Sequence, residues 1–454
     1  MNAFHAYDIR GIWGTDFTGD DVYKIGFFIP KLLGVKKVLV GRDARTSSPE
    51  IHQILLRGIC DSGADVYDTG LSTTPQVYYA TAKHGFEASV QITASHNPKA
   101  YNGFKISRGQ AMPVGYDSGL NLLEAWIGAA NPAAERPVVP SARRGQVIPF
   151  SVKDEYLAFL RGYLCDYANL KIGIDLSNGM AALFIKELLG DTPVYIFDEL
   201  DGSFPNHDPN PLVPENIKAL QKLVVTEKCD VGIIFDGDAD RVMFVDELGH
   251  FVSPDLIIGV LGHYFLEEKG LRGPVLQDIR TSKAVGEYLT PMGGDMHTWR
   301  VGRAFATPKL REIGGIFGGE LAGHYYFKDF FYSDSGIMAS LIVLNVVSKM
   351  KARGISVSQL ISQISRYHNS GEINYKIEKK REAMDAVRDY FATRETPIAF
   401  YDFDGYRLEF PDWWFNIRPS NTEPYLRFIA EASCAQLLQD KLKIVHKLIK
   451  QVGG

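Results

Sequence analysis

Several common catalytic and binding signatures are missing from this chain of 454 residues. It has no GxxxxGKS/T phosphate loop, no GxSxG nucleophile elbow and no HExxH zinc motif, which argues against three large enzyme classes. The cysteines are few and scattered, with no Cys-x-x-Cys pair, so a disulfide framework or a structural zinc site is not expected. We expect all of them to be reduced core thiols of a cytosolic protein: Cys60, Cys165, Cys229 and Cys434.

The chain also lacks a long hydrophobic run and an excess of positive charge. Its most apolar stretch, from Gly336 to Val347, is too short and too interrupted to span a membrane. The first eight residues have neither the basic nor the apolar part of a secretory signal, so we expect a cytoplasmic protein. A net charge of −5 argues against a general binder of nucleic acids or membranes. Any anionic ligand must therefore be held by local arginines and lysines.

What the chain does contain is a repeated alternation of strand and helix patterns. It is too long for one core and predicts three or four domains. We predict three related α/β domains over residues 1–144, 145–250 and 251–366, with the first boundary in a Pro-rich, basic stretch. From residue 367 charged helix alternates with aromatic strands, which predicts a different, α+β domain over residues 367–454.

The most informative segment is Thr93–Pro98, which follows a predicted strand, Ala88–Ile92. Asn-Pro favours a turn, so Ser95, with His96 beside it, is expected just beyond a strand end. Open α/β sheets bind their ligands at such ends. An ordinary surface turn is the alternative, and the segment alone does not decide between the two.

A second loop, Asp236–Arg241, presents three carboxylates at alternate positions after an apolar strand. Oxygen ligands converging in this way favour a hard cation such as Mg²⁺ or Ca²⁺. An EF-hand is a rival interpretation because Glu247 is twelfth from Asp236, but Arg241 stands where the EF turn needs glycine. A solvated acidic turn without metal is the other alternative.

Two further loops carry polar groups suited to a phosphorylated sugar. Gly318–His324 frames one carboxylate, Glu320, and one imidazole with glycines, and a carboxylate accepts hydrogen bonds from sugar hydroxyls. Arg418–Pro424 joins two aromatic strands and offers an arginine, hydroxyls and backbone N–H groups to a phosphate. A turn with a structural histidine and a polar hairpin turn are the respective alternatives.

Cations near strand ends or glycine-rich turns could line a common cleft and concentrate a dianion. They are Arg10, Lys105, Arg280 and Arg303. Each taken alone is typical of a surface charge.

With one such motif in each predicted domain, the whole chain resembles the α-D-phosphohexomutase superfamily, and within it the phosphomannomutase/phosphoglucomutase group. The resemblance implies four domains around a central cleft: three α/β domains of shared topology and a C-terminal α+β domain like the TATA-box-binding fold. It implies that Ser95 is a phosphoserine that donates and recovers a phosphoryl group. Mg²⁺ would be held by this serine together with Asp236, Asp238 and Asp240.

The resemblance also implies roles for the remaining motif residues. Groups near the transfer site with acid–base or phosphate roles are Arg10, His96, Lys105 and His324, of which Lys105 or His324 would be the base. Sugar contacts would come from Arg241 and Glu320. The non-reacting phosphate would be held by Arg418, Ser420, Asn421 and Thr422.

Two departures from the group bear on sugar preference. Many members have Glu-x-Ser-Gly-His where this chain has Ala322 between Glu320 and His324, and the bifunctional members have a histidine near Arg303. The Arg418–Pro424 sequence nevertheless resembles phosphomannomutases more than phosphoglucosamine mutases.

The implied reaction converts mannose 6-phosphate to mannose 1-phosphate through a hexose 1,6-bisphosphate, which would also activate a dephosphorylated enzyme. Phosphoglucomutase activity at the same site is part of this expectation. The alternatives are a phosphoglucosamine mutase, a Mg²⁺-dependent sugar phosphatase and a non-catalytic sugar-phosphate-binding protein. The expected partner is a small-molecule hexose phosphate, and the protein is expected to be a monomer or homodimer.

Overall fold

A computed structural model describes residues 3–129, 144–420 and 425–453. The first domain is a mixed sheet with helices on its faces. Its strands are β1 (Ile9–Ile12), β2 (Lys37–Arg42), β3 (Asp65–Leu71), β4 (Ala88–Ile92), β5 (Tyr101–Arg108), β6 (Met112–Pro113) and β7 (Val147–Pro149). Its helices are α1 (Gly19–Leu33), α2 (Ser48–Asp61), α3 (Thr74–Lys83) and α4 (Leu120–Ala129). The strand order is β1-β5-β4-β2-β3-β7, with β6 beside β5.

The second and third domains follow the same plan. The helices of the second are α5 (Lys153–Arg161), α6 (Ile185–Leu189) and α7 (Pro214–Glu227), and its strands are β8 (Ile172–Asp175), β9 (Val194–Ile196), β10 (Val231–Phe235), β11 (Val242–Asp246) and β12 (Phe251–Val252). The strands of the third are β13 (Gly273–Asp278), β14 (Gly294–Trp299), β15 (Phe317–Gly319), β16 (Tyr325–Phe327) and β17 (Ser333–Asp334). Its helices are α8 (Pro254–Gly262), α9 (Lys283–Leu289), α10 (Arg303–Glu312), α11 (Gly336–Ala352) and α12 (Val357–Ile364).

The three sheets share one topology. The orders β3-β2-β4-β5, β9-β8-β10-β11 and β14-β13-β15-β16 each place three parallel strands beside one antiparallel strand. Parallel strands need helical crossovers, which explains the alternating sequence pattern. The prediction of three α/β domains of shared topology is confirmed.

The fourth domain is built differently. Its strands are β18 (His368–Asn369), β19 (Ile373–Lys376), β20 (Ala399–Tyr401), β21 (Tyr406–Glu409), β22 (Trp413–Pro419) and β23 (Tyr425–Ala432), and its helices are α13 (Lys380–Ala392) and α14 (Ala435–Gly453). All of the described strand pairs are antiparallel. The aromatic side chains of β21 and β22 and the apolar faces of both helices form one core. The predicted α+β character of this domain is confirmed.

The apolar stretch from Gly336 to Val347 is a core helix. It forms most of α11, which is buried along almost its whole length and packs into the core shared by the second and third domains. A helix enclosed on all sides needs no polar face, which explains its hydrophobicity. Among the described residues, no helix has both the length and the apolar character needed to cross a membrane.

Two details modify the expectations from sequence. All four cysteines are free thiols, but Cys434 is exposed at the start of the last helix, so the prediction that all are core thiols is wrong for this one. Strand β7 lies beyond the boundary predicted at residue 144, yet it pairs with β3 of the first sheet.

Candidate active site

Ser95 lies in a buried turn just after β4, as predicted. Its φ of +51° is a left-handed conformation, and its N–H donates to Thr93 Oγ1 at 2.9 Å. Its hydroxyl donates to Asp236 Oδ2 at 2.8 Å. The turn of the first domain therefore faces the acidic loop of the second, and the serine oxygen points at its carboxylates.

The carbonyls of this turn are held by one arginine that sequence analysis missed. The guanidinium of Arg45 donates to the backbone oxygens of Ser95 at 2.8 Å, Asn97 at 2.6 Å, Pro98 at 2.8 Å and Tyr101 at 3.1 Å. Arg45 is fully buried. One side chain thus fixes most of the segment that presents Ser95.

The three aspartates of the acidic loop converge, with one carboxylate oxygen of each within 4.8 Å of the others. These aspartates follow β10 and are buried. Lys105 Nζ forms an ion pair with Asp238 at 2.6 Å and a second one with Asp240. Burial, and then the neighbouring carboxylates, raise the pKa of Asp236 well above its ordinary value. Among the described residues, Asp238 Oδ1 and Asp240 Oδ1 are buried without a hydrogen-bond partner. An all-oxygen site with spare buried acceptors and excess negative charge fits Mg²⁺.

The EF-hand alternative is wrong. Glu247, its required twelfth ligand, accepts hydrogen bonds from the N–H and hydroxyl of Ser358 at the start of α12. Strand β11 carries the chain away from the acidic loop toward Glu247.

Three predicted cationic or basic groups surround Ser95. Arg10 pairs with Asp8 and donates to Asn97 Oδ1 at 2.7 Å. Burial disfavours charge on Lys105, but Asp238 and Asp240 outweigh it and raise its pKa well above the ordinary value, so this ammonium stays charged. Burial and nearby cations hold the pKa of His96 well below its ordinary value, so its imidazole is neutral.

His324 is held in a defined tautomer. Arg241 Nε, which can only donate, lies 2.9 Å from His324 Nε2, so this nitrogen carries the lone pair. Nδ1 then carries the proton and donates to Asp334 at 2.7 Å. Arg303 Nε binds the other oxygen of Asp334 at 3.0 Å, and its Nη2 donates to a backbone oxygen of the first domain. We expected Arg303 at the substrate, but its guanidinium is bound by Asp334 and by a backbone oxygen of the first domain.

Glu320 is buried close to His324. It accepts from Tyr326 Oη at 2.6 Å and from the N–H of Gly302, 3.2 Å from either oxygen. Burial raises the pKa of Glu320. Arg280 lies nearby and forms a close pair with Asp278 at 2.7 Å.

The segment that is predicted to bind a phosphate starts at the end of β22 in the fourth domain, and the structure describes its residues 418–420. Arg418 Nη1 binds Asp404 at 3.0 Å, and Ser420 N–H donates to Tyr425 O at 2.9 Å. Asn421 and Thr422 lie outside the described residues. Arg418 itself is buried.

Comparison with known proteins assigns each domain separately. The four matching models are described as phosphoglucomutase/phosphomannomutase alpha/beta/alpha domains I, II and III and C-terminal domain, over residues 1–127, 154–249, 253–367 and 372–443. A phosphomannomutase of Escherichia coli is 35% identical over 99% of both chains. The chain belongs to the phosphoglucomutase/phosphomannomutase family.

Other members of the family extend this similarity. A phosphomannomutase of Methanocaldococcus jannaschii is 32% identical over 100% of this chain and 99% of its own. The crystal structure of a phosphoglucomutase/phosphomannomutase family protein from Burkholderia thailandensis matches with a TM-score of 0.86 and 27% identity, over 100% of this chain and 98% of that one. As a member of this family, the chain is a phosphohexomutase, an intramolecular phosphotransferase.

Several residues that shape the site of this family member carry no sequence motif of their own. They are Arg45, Thr74, Asp334, Tyr326 and Asp404. Only Arg45 had an available signal, because Asp43 and Arg45 are oppositely charged residues that directly follow the apolar run of β2.

Proposed function

We propose that the enzyme interconverts mannose 6-phosphate and mannose 1-phosphate, and acts on the glucose phosphates at the same site. The observation that carries the proposal is the buried hydroxyl of Ser95 against Asp236, at the edge of an acidic triad that has spare acceptors. A serine so placed can hold a phosphoryl group next to a bound cation.

In this proposal, the substrate is held at both ends. Arg418, Ser420, Asn421 and Thr422 bind the phosphate that does not react, by charge-assisted hydrogen bonds. Arg241 and Glu320 bind the sugar, and Arg10 and Lys105 neutralise charge on the transferring group. Arg280 and Arg303 would bind the substrate as donors from their ion pairs with Asp278 and Asp334.

His324 is our choice of base. Lys105 stays protonated between two aspartates and cannot accept a proton. His324 Nε2 carries a lone pair, which becomes free to accept the proton when Arg241 leaves it to bind the sugar. The sugar hydroxyl attacks phosphorus, the bond from phosphorus to Ser95 Oγ breaks, and the hydroxyl proton goes to His324 Nε2. His96 remains neutral beside Ser95. Mg²⁺ held by Ser95, Asp236, Asp238 and Asp240 would supply charge neutralisation on the phosphoryl oxygens.

The product of the first transfer is a hexose 1,6-bisphosphate, which must reverse in the cleft before its other phosphate faces Ser95. The second transfer restores the phosphoserine and releases the isomerised monophosphate. A hexose 1,6-bisphosphate therefore also activates enzyme that has lost its phosphoryl group.

Three further expectations belong to the proposal. The second and third domain boundaries are those predicted, at residues 250 and 366, whereas the first lies beyond β7 rather than at residue 144. The enzyme works in the cytoplasm on a small molecule rather than on nucleic acid, consistent with its net negative charge. It is a monomer or a homodimer.

The test is turnover of mannose, glucose and glucosamine 1-phosphates with Mg²⁺ and a trace of the matching 1,6-bisphosphate. We expect mannose 6-phosphate and glucose 6-phosphate to form, Ser95→Ala to abolish turnover, and Arg418→Ala chiefly to raise KM. Steady release of inorganic phosphate without isomerisation would instead favour a phosphatase, and turnover of the glucosamine phosphate alone a phosphoglucosamine mutase.

A further inference from the structure

The two ends of the proposed substrate site belong to different domains. Glu320 comes from the third domain, and Arg418 from the fourth. A substrate that is held at both ends depends on the relative position of these two groups. A contact that crosses the boundary between the two domains can therefore affect binding at both ends.

Asp404 is placed to do this. Its Oδ1 accepts from Arg418 Nη1 at 3.0 Å, and its Oδ2 accepts from the N–H of Val301 at 2.9 Å. The first contact lies within the fourth domain and the second crosses to the third. The side chain of Asp404 is only 10% exposed, so both bonds are shielded from water.

The backbone of Asp404 is fixed as well. Gly405, which follows it, has φ +71°, and a Cβ there would lie 2.3 Å from the backbone oxygen of Ile417. The turn is therefore pressed directly onto β22 next to Arg418. Asn416 Nδ2 donates to Tyr406 O at 3.2 Å and closes the same turn.

The contact continues from Val301 to Glu320 through two consecutive peptide units. Val301 and Gly302 direct successive N–H groups at two carboxylates, Asp404 in the fourth domain and Glu320 in the third. Gly302 has φ +109°, and a Cβ there would lie 2.7 Å from the ring of Tyr7. The chain can therefore hold this geometry only with glycine at position 302.

We propose that Asp404 is a positioning residue that couples the phosphate end of the substrate site to its sugar end. It orients Arg418 directly and Glu320 through the consecutive backbone N–H groups of Val301 and Gly302. The inference rests on the proposed function of Arg418 and Glu320, and it assigns to Asp404 no contact with the reacting atoms.

The first test is Asp404→Asn. Both partners of Asp404 are donors, and an asparagine offers one acceptor oxygen while its amide nitrogen would face the other donor. We expect KM for mannose 1-phosphate to rise about tenfold while kcat falls less than about threefold, because a charge-assisted bond to the binding end is lost.

The matched control is Glu409→Gln on the neighbouring strand. Glu409 binds Arg407 Nε at 2.7 Å, and Arg407 in turn binds the backbone oxygens of Ile279 and Thr281 across the same domain boundary. The Glu409→Gln substitution removes the negative charge beside Arg407, an arginine at the same domain boundary. It leaves the backbone at residues 301 and 302 unchanged. We expect its KM to stay within about twofold of wild type. An equal rise of KM in both variants would overturn the proposal.

The second test is a double-mutant cycle with Glu320→Gln. If Asp404 acted on Arg418 alone, the losses in kcat/KM of Asp404→Asn and Glu320→Gln would multiply. If Asp404 and Glu320 are coupled through the backbone at residues 301 and 302, kcat/KM of the double variant should be at least about threefold higher than the value obtained by multiplying the two single losses. Multiplicative losses would overturn the coupling.

Two measurements separate this inference from the proposed function and from folding. If the wild-type enzyme turns over no hexose phosphate, the proposed function fails. The role of Asp404 is then tested by calorimetric binding of inorganic phosphate, which Asp404→Asn must weaken and Glu409→Gln must leave unchanged. If Asp404→Asn does not fold, Asp404→Glu keeps the charge but displaces both acceptors by one methylene. A KM unchanged in that variant would refute a positioning role.

Discussion

The strongest test of the site's construction is the removal of Arg45. In Arg45→Ala, four backbone oxygens of the Ser95 segment lose their donor, and Asp43, 3.2 Å from Arg45 Nε, loses its partner. Charge-assisted bonds contribute about 1.5–3 kcal/mol each, but they do not add because the loop can relax. Breaking a buried ion pair costs about 3–5 kcal/mol, and we expect the first domain to lose an amount in this range.

Hydrogen exchange is the suitable assay, because a four-domain chain need not unfold in one step. Amides of the paired strands β2 and β4, such as those of Val40 and Val90, should exchange roughly two to four orders of magnitude faster in Arg45→Ala. Phosphoryl uptake on Ser95 should slow as well, and Arg45→Lys should recover part of both, since an ammonium reaches fewer carbonyls.

Arg57→Ala is the matched control in the same domain. Arg57 lies exposed on α2, where its contact is the ring face of Tyr23 at 5.5 Å. Its loss should cost less than about 0.5 kcal/mol. Wild-type exchange rates and wild-type kcat in Arg45→Ala would refute the assignment of Arg45 as the support of the serine turn.

Two further predictions concern the third domain. Gly302→Ala places a methyl group 2.7 Å from the ring of Tyr7 on a backbone with φ +109°. We therefore expect the hydrogen bond from the N–H of residue 302 to Glu320 to be displaced and kcat/KM to fall by at least about tenfold. A normal far-ultraviolet circular dichroism spectrum checks that the variant is folded. Burial opposes ionisation of Asp278, but the charge of Arg280 outweighs it and lowers the pKa of Asp278. Its stabilisation is therefore present above the unfolded-state pKa near 4 and is lost as pH falls through the lower folded-state pKa. Asp278→Asn should destabilise the protein by about 3–5 kcal/mol at neutral pH. The difference from wild type should shrink in acid denaturation series, and a constant difference from pH 7 to pH 3 would contradict the assignment.

The secondary structure of the site could be predicted because its signals are local. The strand over Ala88–Ile92 and the start of α8 at Pro254 follow from apolar runs and from a Ser-Pro pair. The loops bearing Ser95 and Asp236 follow strand ends, and in parallel sheets these ends lie on one edge. These two loops belong to different sheets, so strand order places each loop at the edge of its own sheet, and the contact between them depends on how the first two domains pack against each other.

The partners of these loops could not be predicted in the same way. Asp404 and Val301 are 103 residues apart, and a hydrogen bond between them depends on how the third and fourth domains pack against each other. Arg303 looked like one more cleft cation, yet Asp334 and a backbone oxygen of the first domain engage it. A side chain's charge can be read from sequence, but the group that neutralises it cannot.

The amino-acid sequence determined the four domains, the order of their elements and the loops that carry reactive groups, because periodicity, turn residues and strand-end position act over short distances. Only the tertiary structure decided the tautomer of His324, the charge of Lys105 and the coupling at Asp404. Each of these depends on a buried partner from another element, where water no longer screens charge and a single hydrogen bond selects one state.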